Sequence, residues 1–244
     1  MSKQNANVIS STADAEKVDL QIGGFVPFSF SDYPGELAAV VFCQGCRWRC
    51  RYCHNPHLQK GKSSGPRFEE ILCFLEKRRG LLDAVVFSGG EPIFQSHIVV
   101  ALNAVKQMGF KVGLHTSGAS AVLFEETLPY VDWIGLDIKS LPEDYPAISK
   151  IDNSGKEAFN CLSSVLQSGK SYEVRTTYHP VLFSEEKLLA LAQLLAELGV
   201  KNFALQIFRN TGCLDKELLE TLASCNTSTI KQFETLFPQF VLRN

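Results

Sequence analysis

The chain has 244 residues, 45% of them hydrophobic and 20% charged, with a formal net charge of −2 and a pI near 6.2. That length suits one large domain or two small ones, and that balance suits a globular chain rather than a disordered one. The small net charge gives no drive toward nucleic acid or anionic lipid, and no apolar run approaches the ~18 residues of a membrane span, so neither partner is expected.

In chain order, residues 1–18 read as a polar tail without the apolar stretch of a signal peptide, and the expected compartment is cytoplasmic. Residues 19–244 read as one domain, since no Ser/Gly linker, charge block or internal repeat interrupts them. Short apolar runs predict strands at 37–42, 83–87, 111–115, 133–137, 172–177 and 202–207. Helical patterns fill the intervals at 68–75, 97–108, 121–128, 157–167 and 185–198, and two more follow at 215–223 and 229–237. Gly109 and Gly199 stand where helix-ending residues belong. Strands that are nearly all apolar are buried on both faces, as in parallel sheets. The alternation predicts an α/β fold, either a doubly wound sheet or a full or partial barrel, and periodicity alone does not choose.

Eight cysteines lie at 43, 46, 50, 53, 73, 161, 213 and 225. The first four fall in FCQGCRWRCRYCHNP, residues 42–56, directly after the first predicted strand. In a reducing compartment such a cluster means metal or redox chemistry rather than disulfides. Cys46, Cys50 and Cys53, spaced C-x3-C-x2-C, can hold three irons of a [4Fe–4S] cubane and leave the fourth open. With Cys43 added, four thiolates could instead close a zinc site, or the thiols could be unligated. Cys43 ends an apolar strand, where a free cysteine behaves as a small hydrophobe. Cys73 and Cys161 fall on helical patterns and read as packing. A second segment, DAVVFSGGEP, is a strand followed by paired glycines, which let backbone approach a ligand or simply make a tight turn.

Together these segments resemble the radical S-adenosylmethionine (SAM) superfamily. GFVPFSFSDYPGELAAVVFCQGC, YCHNP, LHTSG, LDIK and VRTTYHP are similar to the activating enzymes of glycyl radical enzymes. The activating proteins of anaerobic ribonucleoside-triphosphate reductase are nearest, and pyruvate formate-lyase activases are close relatives. The resemblance implies a partial (β/α)6 barrel of the radical SAM type, with a [4Fe–4S] cluster and SAM as cofactors. It implies that Cys46, Cys50 and Cys53 hold the cluster and that SAM chelates the open iron. One-electron reduction then splits SAM into methionine and a 5′-deoxyadenosyl radical, which removes a Cα hydrogen from a glycine of the partner. The implied partner is a glycyl radical enzyme, the anaerobic ribonucleotide reductase first, with flavodoxin or ferredoxin as electron donor.

Further roles follow by the same resemblance. Tyr52 packs beside the adenine, Gly89 and Gly90 meet the methionyl amino group, and Glu91 supports their turn. Asp137 and Lys139 share one face of a strand end near SAM, with Lys139 toward its carboxylate. Arg175 and Arg209 are expected to bind cofactor, although a structural carboxylate would equally satisfy Arg175. His115 stands where pyruvate formate-lyase activases carry an aspartate that helps hold a monovalent cation, and imidazole suits such a cation poorly. It is expected either to hydrogen-bond SAM or to be a satisfied core histidine. Three other readings remain: activation of a different glycyl radical enzyme, a radical SAM enzyme acting on a small molecule, and a non-catalytic zinc-stabilised interaction module.

Overall fold

The computed structural model describes residues 18–244. Its eight strands form one sheet in chain order: β1 (Ile22–Ser29), β2 (Ala38–Cys43), β3 (Ala84–Gly89), β4 (Lys111–Thr116), β5 (Trp133–Asp137), β6 (Ser171–Tyr178), β7 (Asn202–Ile207) and β8 (Gln239–Arg243). β1 runs antiparallel to β2, and every later neighbouring pair is parallel. β1 and β8 are the two edges, so the architecture is an open, partial barrel. The helices are α1 (Phe68–Glu76), α2 (Ile98–Gln107), α3 (Ala121–Thr127), α4 (Tyr145–Ser149), α5 (Ser154–Gln167), α6 (Glu185–Glu197), α7 (Lys216–Glu220) and α8 (Thr227–Leu236).

All six expected strands are present, and so is each expected helix. Ser184 caps α6 by accepting from Lys187 N–H, with Glu185 and Glu186 in the first turn, as helix N-termini favour. Gly109 and Gly199 follow α2 and α6 at φ of 91° and 95°, the left-handed conformation that ends helices. The expectation missed β1, β8 and the short α4. β1 contains Gly23, Gly24 and Pro27, which erase a strand pattern, and only an edge strand tolerates that proline. The tail assigned to residues 1–18 lies outside the described residues except for Val18, which packs into the core with Leu20.

Alternation along the strands separates two environments. Ala39, Val41 and Cys43 of β2, Val85 and Phe87 of β3, and Ile134 and Leu136 of β5 face the helices and join Ile71, Leu75, Leu102 and Val105 in the main core. Val40, Val86 and Trp133 face the other way and meet Tyr33 inside the barrel. Further round, register places His115 beside Gly135, Asp137 beside Arg175, and Thr177 beside Gln206 on that inner face. The barrel interior is therefore apolar on the β2–β3 side and polar on the β4–β7 side.

At the C-terminal end Phe203 is buried and stacks against Phe237 at 4.6 Å and Phe233 at 5.6 Å, tying α8 to the sheet. Phe203→Ala is expected to destabilise the fold by about 3–5 kcal/mol in urea unfolding. A loss under about 1 kcal/mol would show that this aromatic stack does not anchor α8.

Candidate active site

The loops leaving β2 to β7 emerge from one edge of the sheet, and a cavity of about 190 Å³ opens there. The loop after β2 supplies Cys46, Trp48, Cys50, Tyr52 and Cys53, and β3 supplies Ser88, Gly89 and Gly90. His115, Thr116 and Ser117 come from β4, Asp137 and Lys139 from β5, Thr177 from β6 and Gln206 from β7. Parallel α/β folds assemble reactive groups at this edge because only there do successive loops converge.

The cysteine loop is held from inside. Gly45 N–H donates to Leu58 O at 2.7 Å, and Gln44 Nε2 donates to His57 O and Lys60 O at 3.0 and 2.9 Å. The turn after β3 braces it: Gly90 N–H donates to Cys43 O and Glu91 N–H to Gly45 O, both at 2.9 Å. A Cβ at position 90 would stand 2.2 Å from Gly45 O, so the glycine is required for this close approach before any ligand is considered.

Glu91, grouped with the cofactor site as the support of the glycine turn, is buried behind the cavity wall. Its carboxylate accepts from Thr116 Oγ1 at 2.7 Å, from Ser117 N–H at 2.8 Å and from Ser117 Oγ, locking the β3 turn to the end of β4. Burial pushes its pKa up, and these hydrogen bonds oppose the shift.

Lys139 is the buried cation of the site. Its Nζ lies 5.3 Å from the Tyr52 ring centre, 5.8 Å from that of Trp48 and 3.6 Å from Asp137 Oδ2. Burial works against its charge, but Tyr52, Cys50 and Asp137 outweigh burial and hold its pKa well above the usual lysine value. The ammonium thus faces the thiols. Burial, then the charge of Glu91, pushes Cys46 up to about 12, while burial raises Cys50 against the pull of Lys139.

These thiols suit a cluster. Cys46, Cys50 and Cys53 share one cavity wall, whereas Cys43 is fully buried in the helix-facing core. A closed four-thiolate zinc site would need Cys43 among them. Among the described residues no three His, Cys, Asp or Glu side chains gather as ligands of a single ion. A cubane asks for something else, one thiolate on each of three irons. Bare thiolates are costly in such a buried place, and iron would supply the compensating charge.

Two expected cofactor ligands lie elsewhere. Arg175 is buried below the cavity, with Nε donating to Glu173 Oε1 at 2.9 Å and Nη2 lying 3.0 Å from His115 Nε2, which is also 2.8 Å from the Asp32 carbonyl. Glu173 also accepts two bonds from Arg243 at 2.7 and 2.8 Å. A buried guanidinium needs such a partner, and Gly135 leaves room for it, since a Cβ there would be 2.4 Å from Arg175 Nη2. Arg209 is exposed and donates to the Asn244 carbonyl. His115 does line the cavity. Burial, then Arg175, holds its imidazole well below its usual pKa, which keeps it neutral. Trp48, Asn55, Gln59 and Thr177 line the cavity without having been singled out in the sequence. Thr177 was within reach, since it lies two residues beyond Arg175 on the same strand face.

A larger cavity of about 610 Å³ opens at the opposite mouth of the barrel. Its charges are internally paired, Lys111 with Glu36, Asp132 with Lys106 and Glu173 with the two arginines, and no cysteine lines it.

An open barrel carrying a three-thiol loop at its reactive edge defines an enzyme class built around an iron–sulfur centre. Residues 40–195 match the family model of the radical SAM superfamily. The chain is 30% identical to a Methanocaldococcus jannaschii protein described as a candidate glycyl-radical enzyme activating enzyme, over 80% of this chain and 83% of that one. It is 33% identical to the pyruvate formate-lyase-activating enzyme of Clostridium pasteurianum, over 67% and 71%. In fold it is similar to Streptococcus suis SuiB solved with S-adenosylmethionine, at TM-score 0.62 and 13% identity, over 82% of this chain and 48% of that one. The chain belongs to the radical SAM superfamily, within its glycyl-radical enzyme activating enzymes. It is an enzyme that acts on a protein substrate, and its cofactors are those of the family, a [4Fe–4S] cluster and SAM. No helix among the described residues is long and apolar enough to cross a membrane.

His115 gives a pH test. Because the folded chain keeps it neutral, its contribution to stability is complete above the ordinary histidine value of 6.5 and is lost as pH falls below it. Between pH 7 and 5 the unfolding free energy of the wild type is expected to fall more steeply than that of His115→Gln, by up to about 1.4 kcal/mol per pH unit. Parallel curves would refute the buried, neutral assignment.

Proposed function

We propose that Cys46, Cys50 and Cys53 hold the [4Fe–4S] cluster and that the chain activates an anaerobic ribonucleoside-triphosphate reductase by generating its glycyl radical. The observation that carries the cluster assignment is the convergence of these three thiols with Gly89, Gly90, Asp137 and Lys139 on one cavity. When bound, the cluster and SAM supply a one-electron reductive cleavage that ends in removal of a hydrogen atom from a backbone Cα. Around them the protein positions and excludes.

Lys139 keeps an ammonium against the cavity wall, placed for the SAM carboxylate, with Asp137 beside it. Tyr52 presents a buried aromatic face beside the second and third thiols, suited to adenine. Gly89 and Gly90 bring backbone to the cavity surface, where the methionyl amino group needs acceptors. Neutral His115 offers a hydrogen bond without charge. Arg175 sits 3.0 Å behind it, and a guanidinium there repels any cation. This histidine–arginine pair, at the place where pyruvate formate-lyase activases carry an aspartate, supports the reductase as partner. A low-potential donor such as flavodoxin or ferredoxin supplies the electron. A second reading, a pyruvate formate-lyase-type partner, is favoured by the name of the C. pasteurianum relative.

Anaerobic reconstitution with iron and sulfide, then dithionite and SAM, should yield 5′-deoxyadenosine from a chain holding about four irons. Cys50→Ala should abolish product while the apo chain keeps its circular dichroism. Product from Cys50→Ala, or a colourless zinc protein, would refute the cluster assignment. Incubation with each candidate partner then decides between them by the electron paramagnetic resonance doublet of a glycyl radical.

A further inference from the structure

The segment after β7 crosses the cysteine loop as a strap, and its contacts fall on Arg51, between the second and third thiols, and on His54, just after the third. Arg51 follows Cys50 directly. Its Nε donates to Asp215 Oδ2 at 2.7 Å and its Nη2 to Asp215 Oδ1 at 3.2 Å, with a further bond to Glu217 Oε2 at 2.7 Å. The Arg51 carbonyl accepts from Cys213 Sγ at 3.4 Å. Gly212 lies against His54, where a Cβ would approach His54 O to 2.0 Å, and Phe208 packs its ring 5.6 Å from that of His54. The strap is itself anchored: His179, at the end of β6, donates from Nε2 to Leu218 O and Thr221 O at 3.1 and 3.2 Å.

Resting on the cluster assignment proposed above, we infer that the Arg51–Asp215 pair is a positioning device for the iron–sulfur cluster. It fixes the Cys50–Cys53 segment from the side opposite α4, whose Ile148 and Ser149 carbonyls accept from the Arg51 and Arg49 N–H groups at 3.3 and 2.8 Å. The α4 contacts are made by backbone and hold the loop's path. The Arg51 side chain adds a two-point, planar restraint that sets its rotation. Its side chain and that of Asp215 are 25% and 20% exposed, so the pair is partly sheltered from the screening that weakens fully exposed ion pairs. Groups behind a metal ligand orient it, and their loss usually weakens metal binding without emptying the site.

The test uses the anaerobically reconstituted holoenzyme. Arg51→Gln and Asp215→Asn are each expected to release iron to a ferrous chelator about tenfold faster than wild type. Both should also shift the g-values of the dithionite-reduced cluster in the presence of SAM. Arg51→Lys should recover part of the release rate but not the wild-type spectrum, because a point charge cannot make the two-point contact. Arg79→Gln, which removes an ion pair to Glu76 far from the loop, is the control for loss of an ion pair alone. If Arg51→Gln fails to fold, Asp215→Asn carries the test, since its amide oxygen still caps α7 by accepting from Leu218 N–H. Variants with lowered melting temperature but wild-type release rate and spectrum overturn the inference. A wild-type chain that takes up no iron overturns the cluster assignment, and this inference falls with it.

Discussion

The contact between the Gly45 carbonyl and the α-carbon of Gly90 is closer than any side chain would allow. It lets the turn after β3 donate two backbone hydrogen bonds to the start of the cysteine loop. The loop's first brace is therefore made of main chain, with no rotamer to lose. Everything at the cavity follows from it. The thiols lie beside the β3 turn because the backbones touch, and Glu91 carries the connection on to β4 through Thr116 and Ser117. A buried carboxylate is costly, and three donors from one neighbouring strand end compensate for it.

The same physics divides the barrel interior. On the β2–β3 side, valine and alanine fill space as in any core. On the β4–β8 side the interior carries His115, Glu173, Arg175 and Arg243, with Glu173 joining the two arginines and Arg175 Nη2 3.0 Å from His115 Nε2. Gly135 gives the Arg175 guanidinium its room. This group of side chains forms a floor between the reactive cavity and the larger cavity at the opposite mouth. Within it Arg175 is partnered by Glu173, while burial first and Arg175 second hold His115 neutral at the cavity wall.

Lys139 shows how few charges the site needs. One ammonium, boxed by Trp48 and Tyr52 and facing Cys50, is the buried cation that the cavity presents. Thiolates, a reduced cluster and a carboxylate-bearing ligand are all anionic, and a desolvated cation acts on each over several ångströms. The strap after β7 adds the mechanical counterpart by gripping Arg51 from the far side. Positive charge is thus distributed around the loop without any one residue acting twice.

Much of this was legible in the chain itself. Strand and helix periods, the two helix-ending glycines and the C-x3-C-x2-C loop are local patterns, set by geometry within a few residues, so the α/β class and the candidate metal-binding segment could be read from them. Motif order went further, to the superfamily and its cofactors. Three things could not be read. Edge strands β1 and β8 carry weak apolar patterns, because only one of their sides pairs. Arg175 pairs with Glu173, two residues earlier on the same strand face, which spacing allows, but the partners of Arg209 and Glu91, Asn244 and Thr116, are not brought near by sequence spacing. The Arg51–Asp215 grip joins residues 164 apart. The strap contacts and the long-range charge pairs are decided by which backbones the curved, open sheet brings together, and that is a property of the tertiary fold alone.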